Sequence, residues 1–308
     1  MSLASPSGAR AVAHAAALIR EGKLVAFPTE TVYGLGANAL DPAAVERIFA
    51  AKGRPRTSPL IVHVDSIEMA RRFAARWPDA AETLARRYWP GPLTLVVPKQ
   101  PEIPDIVTAG LPTVGLRMPA HPLALELIRA AGVPIAAPSA NRFTELSPTE
   151  AAHVPPELAD YVLDGGPARV GIESTVLSLV DVPLLLRPGT IPLPEIEVVI
   201  GPVQVVSAPA GSAHASPGMH PRHYRPVTAL YLLTPGQPPR AGRGAWLRLG
   251  REMPADPAEY AAALYDTLHR LDAQGLDWIA VEPPPDTPEW AGVLDRLRRA
   301  SASPLPES

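Results

Sequence analysis

At 308 residues the chain exceeds the usual size of one domain and has room for two unequal ones, each with its own core. Its 46% hydrophobic and 19% charged residues exclude a disordered chain, and a net charge of -3 gives no global pull on nucleic acid. The absence of cysteine removes disulfides, thiolate zinc sites and cysteine nucleophiles.

No stretch approaches the roughly 20 apolar residues of a membrane span, and the opening MSLASPSGAR lacks the apolar centre of a signal peptide. A cytoplasmic protein with no membrane partner is expected.

In chain order, Val12, Ala15, Ala16 and Ile19 recur at helical spacing up to Gly22, and 24–27 reads as a buried strand. Asp41-Pro42 supplies an N-cap and a first-turn proline, Val45, Ile48 and Phe49 an apolar stripe, and Gly53 a C-terminal turn. Lys52 and Arg54 are therefore expected to straddle an exposed helix end. Strands are predicted at 60–64, 93–97, 113–117 and 134–137, and helices at 66–77, 79–89 and 121–131. Ser147-Pro148-Thr149-Glu150 has the form of a capping box opening a further helix. Later strands at 161–163, 175–180 and 184–186 complete an α/β sheet of mixed direction. From 201 to 226 the periodicity dissolves into Pro, Ala, Ser, Gly and His, which marks a linker. Strands at 227–233, 245–249 and 278–281 then alternate with helices at 257–271 and 290–300, a small parallel α/β unit. The expected division is 1–200, a linker at 201–226, and a second domain at 227–308 ending in a frayed ASPLPES.

GLGANA at 34–39 matches a dinucleotide-type glycine pattern but lacks the acidic residue about twenty positions later, and no P-loop, zinc-helix or serine-elbow motif occurs. The stronger signal is distributed over PTETVYGLG (28–36), KGRPRTSPLIVHV (52–64), VGLR (114–117), PSAN (138–141) and IESTV (172–176). Ligands of open α/β sheets gather at strand ends and helix termini, where backbone amides and cations meet phosphate oxygens. Lys52, Arg54, Ser58, Ser139 and Asn141 thus form a phosphate-binding set. Each segment also has a plainer reading: Lys52 and Arg54 as complements of a helix dipole, PSAN as an ordinary turn, His63 as a core imidazole with a backbone partner. Arg117, closing an apolar strand, calls for an anion or water. A metal site from His214, His220 and His223 is the weaker reading of a linker, and no protein side chain is assigned a metal.

These segments resemble the YrdC-type threonylcarbamoyl-AMP synthase family: PTETVYGLG, Lys52-Gly53-Arg54 as its KxR motif, and Ser139-Ala140-Asn141 as its SxN motif. The resemblance covers nearly the whole chain, and PGMHPRHYRP (217–226) with the C-terminal unit matches the long two-domain form. It implies a twisted mixed α/β sheet around a concave active-site cavity, a small Rossmann-like C-terminal domain, and a linker folded back across the site. It further implies that L-threonine is held by Thr31, His63, Arg117, the backbone of Ala137, and Ser174. ATP would be held by Lys52, Arg54, Ser58, Thr113, Ser139, Asn141, Ser147, Arg187 and Tyr224, with Lys52 and Arg54 as the catalytic cations.

The implied reaction consumes L-threonine, bicarbonate and ATP and is the first step of tRNA threonylcarbamoyladenosine formation. The amine becomes a carbamate, whose oxygen attacks the α-phosphorus and expels pyrophosphate. The protein neutralises charge, aligns the reactants and excludes water. Mg2+ is expected on the triphosphate, held by phosphate and water, with a tRNA threonylcarbamoyl transferase complex as the downstream partner. Two rivals stand beside this reading. A double-stranded RNA-binding module, binding RNA weakly, is opposed by the overall acidity and the lack of interleaved aromatics. A carbamoyl-adenylate enzyme with another acceptor usually carries zinc-finger cysteines, which this chain lacks.

Overall fold

The computed structural model describes residues 6–205, 223–233 and 241–301. Helix α1 (Pro6–Arg20) leads into the antiparallel pair β1 (Val25–Phe27) and β2 (Gly34–Asn38). In α2 (Pro42–Lys52) Asp41 accepts from the Ala43 amide, and Gly53 stops the helix at φ 61°, a left-handed position that costs glycine little. Next come β3 (Ile61–His63), α3 (Ile67–Phe73), α4 (Asp79–Tyr88), β4 (Leu93–Pro98), the single turn α5 (Asp105–Thr108), β5 (Thr113–Arg117), α6 (Pro122–Ala131) and β6 (Ile135–Ala136). The first domain closes with β7 (Tyr161–Val162), β8 (Thr175–Ser178), β9 (Leu184–Arg187), α7 (Leu193–Ile200) and β10 (Gln204–Val205).

These strands form a mixed sheet of ten in the order β10-β9-β8-β4-β5-β3-β6-β2-β1-β7. One apolar cluster joins the sheet to α2, α3, α4 and α7, and another joins it to α1 and α6. Burial on both faces explains why β1 reads as an unbroken apolar run and β3 and β4 are apolar but for His63 and Thr94. The second domain holds the parallel sheet β11 (Ala229–Leu232), β13 (Trp278–Val281), β12 (Gly244–Leu247) with helices α8 (Pro257–Asp272) and α9 (Ala291–Ala300).

Several elements differ from the sequence reading. Helix α3 stops at Phe73 because Ala74 is extended and the Ala75 amide donates to the Pro98 carbonyl, so a strand end takes over the chain. The expected capping box opens no α-helix: Ser147 Oγ donates to Glu173 Oε1, and only a short 3-10 turn follows at Ala151–His153. GLGANA lies largely within β2, not in a phosphate loop. The large sheet runs past residue 200, since β10 pairs with β9. Of the linker at 201–226, residues 206–222 lie outside the described residues, with His214 and His220, and so does the terminal ASPLPES.

A third apolar cluster crosses the domains. Val32, Leu146, Ile172 and Tyr224 share it with α8, α9 and the small sheet. No helix among the described residues is long and apolar enough to cross a membrane.

Candidate active site

Strand register gathers one end of the site. His63 ends β3 and is paired with Arg117 of β5 on one side and Ile135 of β6 on the other. Ala137 follows β6, and its amide donates to the Ile61 carbonyl. Thr31 and Ser174 complete the group: Thr31 Oγ1 lies 2.8 Å from Thr29 Oγ1, and Ser174 Oγ lies 2.8 Å from Thr94 Oγ1. Thr31, His63, Arg117, Ala137 and Ser174 all line one cavity. Arg117 is fixed there by donating to Glu30 Oε1 at 2.6 Å and to the Gly91 carbonyl at 3.2 Å. Burial, then the Arg117 charge, lowers the His63 pKa to about 3, so its ring is neutral at ordinary pH. Its Nδ1 is buried without a partner.

The other end is cationic. Lys52 and Arg54 are only 3% and 7% exposed, so the expectation of an exposed helix end is corrected. Lys52 Nζ donates to the carbonyls of Ser139, at 2.6 Å, and Asn141, clamping the PSAN loop against the end of α2. This contact replaces the helix-dipole role open to it in the sequence. Arg54 donates to Ser58 Oγ at 2.5 Å and to the Pro59 carbonyl at 3.0 Å. Among the described residues neither cation has a carboxylate within ion-pair distance. Burial, with the neighbouring Arg54 charge second, holds Lys52 well below its ordinary pKa, and burial brings Arg54 down to about 10. Both remain poised for an anion. Arg187 of β9 donates to the Ser174 carbonyl and hydroxyl at 3.0 and 3.2 Å, joining the two ends.

The linker returns over this cavity. The Arg225 amide donates to the Thr144 carbonyl at 2.9 Å, and Tyr224 adopts φ 61°, which is strained for a bulky residue. His223 and Tyr224 line the cavity, and His223 Nδ1, Tyr224 Oη and Asn141 Oδ1 are buried without partners. Burial, then Arg54 and Lys52, holds His223 neutral. The cavity, partly open to its surroundings, has a volume of about 50 Å3.

Arg54, Ser139, Arg187 and Tyr224 line the cavity, while Lys52, Ser58 and Asn141 stand directly behind it. Ser147 reaches it only through Glu173. Thr113 is not brought in; it lines a separate gap that shares Ile61. Sequence reasoning missed Glu30 and Glu173, although both lie inside the motifs PTETV and IESTV, where a lone carboxylate among hydroxyl residues was the available signal. Away from the cavity, ligand atoms of Glu150, His153 and Asp266 come within 4.8 Å of one another at the domain seam, where His153 Nε2 lies 3.3 Å from Glu150 Oε1.

Buried cations at the end of α2 and at the ends of β5 and β9, with hydroxyls beside them, suit the site to phosphate and carboxylate groups. Residues 17–189 match the family described as telomere recombination, which unites the Sua5, YciO and YrdC proteins, and 191–302 match the threonylcarbamoyl-AMP synthase C-terminal domain. The threonylcarbamoyl-AMP synthase of Pyrococcus abyssi is 45% identical, covering 93% of each chain. That of Bacillus subtilis is 44% identical over 94% of this chain and 92% of its own. The crystal structure of P. abyssi Sua5 complexed with L-threonine superposes with a TM-score of 0.88 at 43% identity, covering 94% of both chains. The chain belongs to the threonylcarbamoyl-AMP synthase family, a family of transferases with ATP as a substrate, in its two-domain form.

Proposed function

We propose that this chain condenses L-threonine and bicarbonate with ATP, giving threonylcarbamoyl-AMP and pyrophosphate for tRNA modification in the cytoplasm. One observation carries the reading: a single cavity has Arg117, braced by Glu30, at one end and Arg54, backed by Lys52 and without a carboxylate, at the other. Arg117 grips the threonine carboxylate with the N–H groups that Glu30 and Gly91 leave free. Thr31, Ser174 and the Ala137 backbone hold the rest, and neutral His63 accepts from the amine at Nδ1. Lys52, Arg54, Ser139, Asn141 and Arg187 receive the phosphates, Ser58 orients Arg54, and Thr113 meets the nucleotide where it extends past Ile61. Carbamate oxygen and α-phosphorus are both parts of anions, and the two cationic ends let them meet in line.

Mg2+ enters with the triphosphate as part of the substrate. Glu173, the carboxylate in the cavity lining, is already bonded to Arg296, Ser147 and Tyr265, so these residues do not fit a protein-held ion. A cavity of about 50 Å3 is far below the roughly 300–1,000 Å3 of small-molecule sites. His223 and Tyr224 therefore withdraw to admit ATP, then close to keep water from the carbamate. The product passes to a tRNA threonylcarbamoyl transferase complex. Pyrophosphate release tests the reading: it is expected only when L-threonine, bicarbonate and ATP are all present. Release without threonine, or none with all three, overturns it.

A further inference from the structure

IESTV does not stand on the first domain alone. Gly171 is held at φ 78° against helix α8, where an added Cβ would lie 2.3 Å from the Ala261 carbonyl oxygen. Beyond the motif, a Cβ on Gly189 would lie 2.3 Å from the Thr175 amide, and one on Gly292 of α9 would lie 2.4 Å from the Gly189 carbonyl oxygen. Backbone thus rests on backbone from α9 through Gly189 to the Ser174–Thr175 peptide, with no side chain between to absorb a shift.

At the same seam α9 sends in Arg296, whose side chain is 0% exposed. Its Nε donates to Glu173 Oε2 at 2.8 Å, Nη2 to the Glu173 carbonyl at 3.1 Å and Nη1 to the Pro188 carbonyl at 2.8 Å. The other Glu173 oxygen accepts from Ser147 Oγ at 2.5 Å. The guanidinium also lies 5.3 Å from the centre of the Tyr224 ring. One buried cation of the C-terminal domain therefore touches both neighbours of the nucleotide set, Glu173 and Tyr224, without lining the cavity itself.

We propose that Arg296 is a positioning residue for the adenylate-forming site: it holds Glu173, and through it Ser147 and the Ser174 loop, in the arrangement that accepts ATP and threonine. This rests on the function proposed above. Burial works to raise the Glu173 carboxyl, and Arg296, Arg187 and the Ser147 hydroxyl overcome it, leaving it below its ordinary value. Glu173 is thus a carboxylate facing a cavity for anions. Without Arg296 that charge loses its directly bonded cation, leaving Arg187 and the Ser147 hydroxyl to offset it only in part, and it repels them.

Arg296→Met keeps the apolar stem and removes the charge. Steady-state pyrophosphate release and calorimetric binding of L-threonine are measured on the full chain, with thermal unfolding to certify folding. KM for ATP and Kd for threonine are expected to rise about tenfold or more, as for loss of a charge-assisted bond. Arg296→Met with Glu173→Gln should bind both ligands more tightly than Arg296→Met alone, because the repelling charge is gone. A residue that only stabilised the fold would leave the double variant no better. A folded Arg296→Met with wild-type KM and Kd, or a double variant no better than the single, overturns the proposal. If Arg296→Met does not fold, Arg296→Lys decides: it keeps the charge but not the grip on Glu173 and the Pro188 carbonyl, so a raised KM for ATP in the folded variant supports the assignment and an unchanged one overturns it. If the wild-type chain released no pyrophosphate, the reaction assigned above would fail, while threonine calorimetry on the same variants would still decide the role of Arg296.

Discussion

Arg117 and Arg54 are both buried guanidiniums at one cavity, yet Arg117 lies 2.6 Å from a Glu30 oxygen while Arg54, among the described residues, donates to the Ser58 hydroxyl and two carbonyls and lies over the Phe143 ring with no carboxylate in ion-pair distance. The paired arginine is a fixed fork, its charge largely balanced before any ligand arrives. The unpaired one, with Lys52 behind it, is stored electrostatic demand, and its lowered pKa records the cost of holding charge away from water. The first arrangement suits recognition of one small zwitterion, the second suits neutralising a polyphosphate. The sharpest way to break this contrast is Arg54→Ala or Lys52→Ala. Each is expected to reduce pyrophosphate release about 100-fold or more, as for loss of a buried group aimed at transition-state charge, with the fold retained by circular dichroism. Normal turnover in either variant would dissolve the distinction.

At the paired end, Arg117→Lys should raise Kd for threonine about tenfold or more while moving ATP affinity far less, since an ammonium cannot keep Glu30 and grip a carboxylate with a planar fork. Calorimetry with each ligand reads this directly, and equal losses would place Arg117 among the phosphate groups. His63, beside it, carries a pH signature. Its folded pKa of about 3 lies below the unfolded value of about 6.5, so the unfolded chain takes the proton first. Its contribution to stability is complete above pH 6.5 and is lost as pH falls toward 3. His63→Gln should flatten this acid limb by up to about 4 kcal/mol in urea unfolding, and an unchanged limb would mean that the ring is not buried neutral. The mildest change is expected at Thr113→Ala, outside the cavity: about fivefold or less in KM for ATP, one neutral hydrogen bond, and none for threonine.

Much of the site was legible because its segments are short runs at strand ends or, for KGR, at a helix end. PTETVYGLG, KGR, VGLR, PSAN and IESTV needed only a sheet to bring them together, and the register of β3 with β5 and β6 does so for His63, Arg117 and Ala137. What escaped depends on contacts distant in sequence. Nothing near Lys52 tells that its ammonium turns inward to the carbonyls of Ser139 and Asn141. Ser147 satisfies every local requirement of a capping box, and a carboxylate 26 residues away takes its hydroxyl instead. Arg296 reads as one of several arginines in RLRRA, and only folding shows that it is the one fully buried.

The cluster that joins Val32, Leu146, Ile172 and Tyr224 to the C-terminal core bears on how the chain can be cut and recombined. A chimera that exchanged residues 227–301 as a cassette would strand three apolar side chains of the catalytic half against a foreign surface. The exchangeable module is larger than the second domain: it takes in the loops bearing Val32, Leu146 and Ile172, so recombination breakpoints that respect the fold run through the catalytic half of the chain.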